Sequence, residues 1–111
     1  MTTRALIAAL VALCTGCGSV YHYEVILRAP SARKGAAAFY LDGQEASLNA
    51  PFEEVAILQT EGTGQRSSAE EVTTALRLRA GEFGCDAILR GRVSIDYGHT
   101  IATGICVRVL R

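Results

Sequence analysis

Apolar residues recur along this chain with two different periods. Over residues 20–28 they alternate, with Tyr21, Tyr23, Val25 and Leu27 on one side and His22, Glu24 and Arg28 on the other. This is the pattern of a half-buried strand. Residues 30–35 form a polar turn, and residues 37–41 a short apolar strand closed by Asp42-Gly43. After a loop through Pro51, residues 53–60 hold Val55, Ala56, Ile57 and Leu58 without interruption, which suits a strand covered on both faces.

From Ser68 the period becomes helical. Ser68-Ala69-Glu70-Glu71 is a capping-box pattern: Ser68 is placed to accept from the Glu71 amide, and the Glu71 side chain to reach back. Val72, Ala75, Leu76, Ala80 and Phe83 then make one face, and Gly84 stands where a positive φ would end the helix. Arg79 lies on the flank of that face, with its stem expected along the sheet and its guanidinium in water.

The last segment predicts a hairpin. Ala87, Leu89, Val93 and Ile95 share one face of its first strand, and Arg90, Arg92, Ser94 and Asp96 the other. In the second strand Ile101, Ile105, Val107 and Val109 are again odd-numbered. Odd residues oppose odd residues only when paired numbers add to an even total, which excludes a two-residue loop. A three-residue connection Tyr97-Gly98-His99, with Gly98 left-handed, satisfies the requirement. The element order β-β-β-α-β-β predicts an α+β domain, one helix packed on a mostly antiparallel sheet.

The first 17 residues stand apart. Arg4 precedes a nine-residue apolar run, residues 5–13, which ends at Cys14-Thr15-Gly16-Cys17. Nine residues suit the core of an export signal and are about half of the ~20 needed to span a bilayer. With its final cysteine, this segment resembles a bacterial lipoprotein precursor. In that family a lipobox of the form Leu-Ala/Ser-Gly/Ala-Cys ends at the cysteine that is lipidated and becomes residue one. Thr15-Gly16-Cys17 fits the last three positions, and Cys14 stands where the family prefers leucine. Taking Cys14 as the acceptor would put bulky Leu13 at the cleavage position, where small residues are demanded. An ordinary secretion signal containing two cysteines is the alternative.

The resemblance implies a signal peptide over residues 1–16 and a single mature domain over 17–111, held in the membrane by fatty acyl chains on Cys17. Gly18 follows Cys17, where the family uses aspartate for inner-membrane retention, so the outer membrane is implied. The domain would face the periplasm or the cell surface. Strand residues begin at Val20, leaving Gly18 and Ser19 as a tether of at most about 10 Å.

The chain of 111 residues keeps 95 after residue 16, enough for one domain. Its formal net charge is +0, which leaves no basic field for nucleic acid and no polybasic stretch for anionic lipid. Half the residues are hydrophobic, which argues against disorder.

Catalytic chemistry is hard to assemble. His22 and His99 are the two histidines. Ser94, His99 and Asp96 hold the residue types of a hydrolytic triad, but no Gly-x-Ser-x-Gly elbow accompanies them. Gly62-Thr63-Gly64 occupies the place of a phosphate-binding turn, yet the third glycine of a dinucleotide fingerprint would fall at Ser67. It reads as a βα connection. Cys85 and Cys106 are a candidate disulfide for an oxidising envelope. With a three-residue hairpin loop, Cys106 would sit opposite Arg90, about 16 Å along the strand from Cys85. Bridging them would require a bulge or a sharp bend after the helix. The cysteines and histidines lack zinc-site spacing, and no cofactor is implied.

Residues 37–111 carry Pro51-Phe52-Glu53-Glu54-Val55-Ala56-Ile57-Leu58, then the helix, then Gly84-Cys85-Asp86-Ala87-Ile88-Leu89 and a glycine-containing final strand. That order resembles the small β-α-β-β domain of bacterial outer-membrane lipoproteins such as the sensor of the Rcs envelope-stress phosphorelay. The four-cysteine framework of that sensor is absent, so the resemblance implies a fold and assigns no residue a role. The expectation is a non-catalytic outer-membrane lipoprotein domain that senses or binds another envelope protein. The alternative is a periplasmic ligand-binding module or small enzyme with a pocket between helix and sheet, using Arg79 or His99. A third reading is self-association through an exposed strand edge.

Overall fold

The computed structural model describes residues 18–45 and 48–110. The expected signal peptide and the lipidation at Cys17 lie outside the described residues. Among those described, the order is β1 (Val20–Ile26), β2 (Ala38–Leu41), β3 (Phe52–Thr63), α1 (Ala69–Glu82), β4 (Ala87–Asp96) and β5 (His99–Val109), with a 3-10 turn at Gly64–Arg66 before the helix. The strands form one mixed sheet in the order β1-β3-β5-β4-β2, and α1 covers one face. This is the α+β arrangement that the hydrophobic pattern predicts. β1 on β3, β3 on β5 and β4 on β5 are antiparallel, whereas β2 runs parallel to β4.

The ends of α1 follow from its sequence. Ser68 caps the helix by accepting from the Glu71 amide at 3.1 Å. The Glu71 carboxylate pairs with Arg66 at 3.7 Å, an ion pair the capping-box pattern does not foresee. At the other end Gly84 takes φ +79°. The Gly84 amide donates to Gly81 and the Cys85 amide to Ala80, which closes two terminal carbonyls as in a Schellman turn. Val72, Leu76 and Ala80 are fully buried, while Phe83 is only partly buried at the helix end.

The segment expected to be a polar turn is a strap along the last turns of α1. The Ser31 amide donates to the Phe83 carbonyl, Lys34 to Gly81 and Ala37 to Arg77, so backbone hydrogen bonds fasten this crossing chain to the C-terminal end of the helix. Arg77 Nε donates back to the Ala37 carbonyl at 2.7 Å. The strap carries the chain from one edge of the sheet to the other, which is why β2 enters parallel to β4.

In two strands the apolar alternation points away from the helix. The helix-facing positions are Ala56, Leu58, Thr60 and Gly62 of β3 with Thr100, Ala102, Gly104 and Cys106 of β5. Small residues on β5 let α1 lie close to the sheet. His22 and Glu24 pair with Thr60 and Leu58 and share their face. Tyr21, Tyr23 and Val25 are therefore on the open face, about half exposed, which reverses the expected orientation of β1. The β2 and β4 side of the open face carries a second cluster of Ala87, Leu89 and Val107 with Tyr40, Leu48 and Ile105.

The hairpin also departs from expectation. Asp96 pairs with His99, so the connection is the two-residue turn Tyr97-Gly98, with Gly98 at φ +60°. Odd residues meet even ones near the turn, as at Val93 and Ala102. The register then shifts between Leu89 and Arg92, where Arg90 adopts φ +52°. This bulge restores the odd-to-odd pairs Leu89 with Ile105 and Ala87 with Val107. Odd residues thus face odd ones only in the half of the hairpin away from the turn, as expected, and not in the half next to it. Cys106 consequently lies opposite Ile88 rather than Arg90. The chain bends after α1, and Cys85 and Cys106 form a disulfide with Cα atoms 5.7 Å apart.

Candidate functional site

α1 is narrower than the sheet, and between it and edge strand β1 runs a cleft of ≈ 580 Å3. His22, Arg66, Thr74, Leu78, Arg79 and Glu82 are among its lining residues. The cleft exists because β1 presents polar His22 and Glu24 toward the helix while its apolar residues face away. Arg79 crosses the gap. Its Nη1 donates to Glu82 Oε2 at 2.6 Å and its Nη2 to Glu24 Oε1, and the guanidinium carbon stands 5.2 Å from the centre of the Phe83 ring. These carboxylate hydrogen bonds raise the Arg79 pKa. The expected water-directed guanidinium is instead an ion-pair bridge between helix and strand.

His22 Nδ1 shares a 2.8 Å hydrogen bond with the buried hydroxyl of Thr60. Burial, reinforced by the positive charge of Arg79, lowers the His22 pKa below 6.5; Glu24 and Glu82 partly oppose this. The imidazole is therefore neutral at neutral pH. Two polar atoms beside it are buried without a hydrogen-bond partner, Arg79 Nε and Glu24 Oε2. The arrangement binds the edge strand to the helix and offers one unused donor and one unused acceptor.

The other sequence candidates are dispersed. His99 is the first residue of β5 rather than a loop residue, and its Nε2 contacts Glu61 Oε1. Asp96 Oδ1 accepts from the Tyr97 amide at 2.8 Å. Ser94, Asp96 and His99 thus form no relay. Gly62 and Thr63 complete β3, and a Cβ on Gly62 would stand 2.0 Å from the Arg66 carbonyl oxygen, so this glycine serves the close packing of the strand end against the following turn. Among the described residues, no group of three His, Cys, Asp or Glu side chains could hold a metal ion.

The open face holds the feature that sequence reading misses. Val25, Ile57 and Ile105 form one row across β1, β3 and β5, and the bulge brings Leu89 into line with it. Tyr23, Gln59 and Thr103 form the next row, then Tyr21, Glu61 and Ile101. Depressions of ≈ 200 and ≈ 300 Å3 adjoin at Ile57 and Thr103. The alternation of β1 is legible, but which side meets the helix is not. That side is set by the ion pair of Glu24 with Arg79, 55 residues apart in the chain.

No family model, curated protein or solved structure matches this chain. No helix among the described residues is long and apolar enough to cross a membrane.

Proposed function

We propose that this chain is a lipid-anchored, non-catalytic domain of the bacterial outer membrane that works by binding another envelope protein through the open face of its sheet. The observation that carries this reading is the contiguous exposure of Tyr21, Tyr23, Val25 and Ile57, each about half accessible, on the face away from α1. Contiguous exposed apolar patches mark interaction sites, and tyrosine is enriched at the core of protein interfaces. The lipobox ending at Cys17 supports placement in the same membrane as the partner. A photo-crosslinking residue at Ile57 or at Tyr23 should trap the same envelope protein in intact cells. The same residue at Leu78, exposed on α1, should not. Equal trapping from both faces, or none from the open face, would overturn the reading.

One observation favours a second reading, ligand binding in the cleft: Arg79, which lines it, keeps its Nε buried without a hydrogen-bond partner. Because Glu24 and Glu82 already pair with Arg79 and leave no positive charge to attract an anion, such a ligand would be a neutral molecule presenting an acceptor. Thermal stabilisation by small neutral amides, lost in Arg79→Ala, would support it. Equal shifts in both proteins would count against it.

A further inference from the structure

We propose that the tip of the β4–β5 hairpin is a second membrane contact, with Tyr97 and Ile95 entering the headgroup region of the bilayer that holds Cys17. This inference rests on the lipid-anchor reading above.

Exposure is the first observation. Tyr97 is 102% and Ile95 69% accessible, the highest values among the large exposed hydrophobic residues. The turn does not need an aromatic residue: Gly98 supplies the positive φ, and Asp96 holds the Tyr97 amide. The Tyr97 side chain therefore contributes little to the domain and projects its full surface outward. A tyrosine suits the membrane interface, where its ring meets apolar chains and its hydroxyl stays wet.

Position identifies the partner as lipid. The Ser19 amide donates to Thr63 Oγ1 at 3.2 Å, and the Thr63 amide to the Ser19 carbonyl at 2.9 Å. Gly64, next in the chain, donates its amide to the Gly98 carbonyl at 2.9 Å. Thr63 also pairs with His99, the residue after the turn. The start of the described chain, next to Cys17, and the hairpin tip thus lie at the same end of the sheet, separated by two strand spacings, or about 10 Å. The expected flexible tether of Gly18 and Ser19 is instead joined to the sheet at Ser19. Acyl chains on Cys17 would hold this end at the bilayer surface, leaving no room for a folded protein between tip and lipid.

Charge defines the mode of contact. This end carries Asp96, Glu70 and Glu71 against Arg66, which is already paired with Glu71. No basic cluster is present among the described residues there to seek anionic headgroups, so the contact is aromatic and aliphatic. Two points of attachment orient the domain, whereas an anchor alone would let it turn about one bond. The far end of β3 at Phe52 would stand about 36 Å from the end at Thr63, and the open face would present itself sideways to neighbours in the membrane.

The chain contains no tryptophan, so the substitution Tyr97→Trp supplies a single reporter. The full chain carrying it, isolated with its lipids and reconstituted into phosphatidylcholine vesicles, should float with them. Its indole emission should shift to the blue and be lost when the acyl chains carry bromine. A separate variant, Phe52→Trp, should show neither change, and replacing part of the lipid with phosphatidylglycerol should not strengthen the effect at position 97. Flotation with unquenched emission from position 97, or equal quenching at both positions, would overturn the hairpin contact and leave the anchor standing. Failure to float would overturn the anchor and with it this inference.

Discussion

His22 shows how little of a residue's role its local sequence carries. Alternation assigns it to solvent, yet its position opposite Thr60 sets it against the helix, where burial and Arg79 lower its pKa. The unfolded chain takes up the proton at about pH 6.5 and the folded chain only at lower pH, so this contribution to stability is present above about pH 6.5 and is lost as pH falls toward the folded pKa. Melting temperatures should therefore decline on acidification from about pH 7 to about pH 5, and His22→Gln should decline less steeply over the same range. Equal slopes in the two proteins would mean that His22 is free to protonate in the fold. Arg79 is recognisable from sequence as a flanking residue, but its partners are not. Glu24 is 55 residues away, and no local pattern reports a contact across that separation.

At the scale of elements, strand and helix positions are legible because their signals are local: the alternation of β1, the Ser68 cap, and the positive φ at Gly84. What the pattern hides is non-local, namely the strap over α1 and the bulge at Arg90. The parity rule assumes an uninterrupted ladder, and one left-handed residue resets it. The strap gives a counter-intuitive prediction at Gly81. Alanine favours a helix over glycine by ~1 kcal/mol. A Cβ at Gly81, however, would stand 2.1 Å from the Gly35 carbonyl oxygen and 2.7 Å from that of Lys34. Overpacking against backbone costs about 1–3 kcal/mol, and the Lys34 amide bond to Gly81 would be strained as well. Gly81→Ala should therefore lower stability by roughly 1–2 kcal/mol in urea unfolding. A gain in stability would show that the strap yields easily and that helix propensity governs this site.

For the whole molecule, a fold of this size has a modest core, and the Cys85–Cys106 disulfide lies inside it with both residues buried. The sequence offers the pair, while the geometry that joins them depends on the bulge and on the bend after α1. Closing a loop with a sequence separation of 21 contributes about 3 kcal/mol. Replacing both cysteines by alanine should accordingly cost about 2–4 kcal/mol, with the fold retained by circular dichroism. A loss well under about 1 kcal/mol would mean that the bond adds no constraint to the unfolded chain.

How the whole chain is held reduces to one residue. Cells fed a labelled fatty acid should incorporate it into this chain and into Cys14→Ser, and Cys17→Ser should carry none. Incorporation that survives loss of Cys17, or none in the parent chain, would contradict the lipid anchor and with it the proposed place of this domain at the membrane.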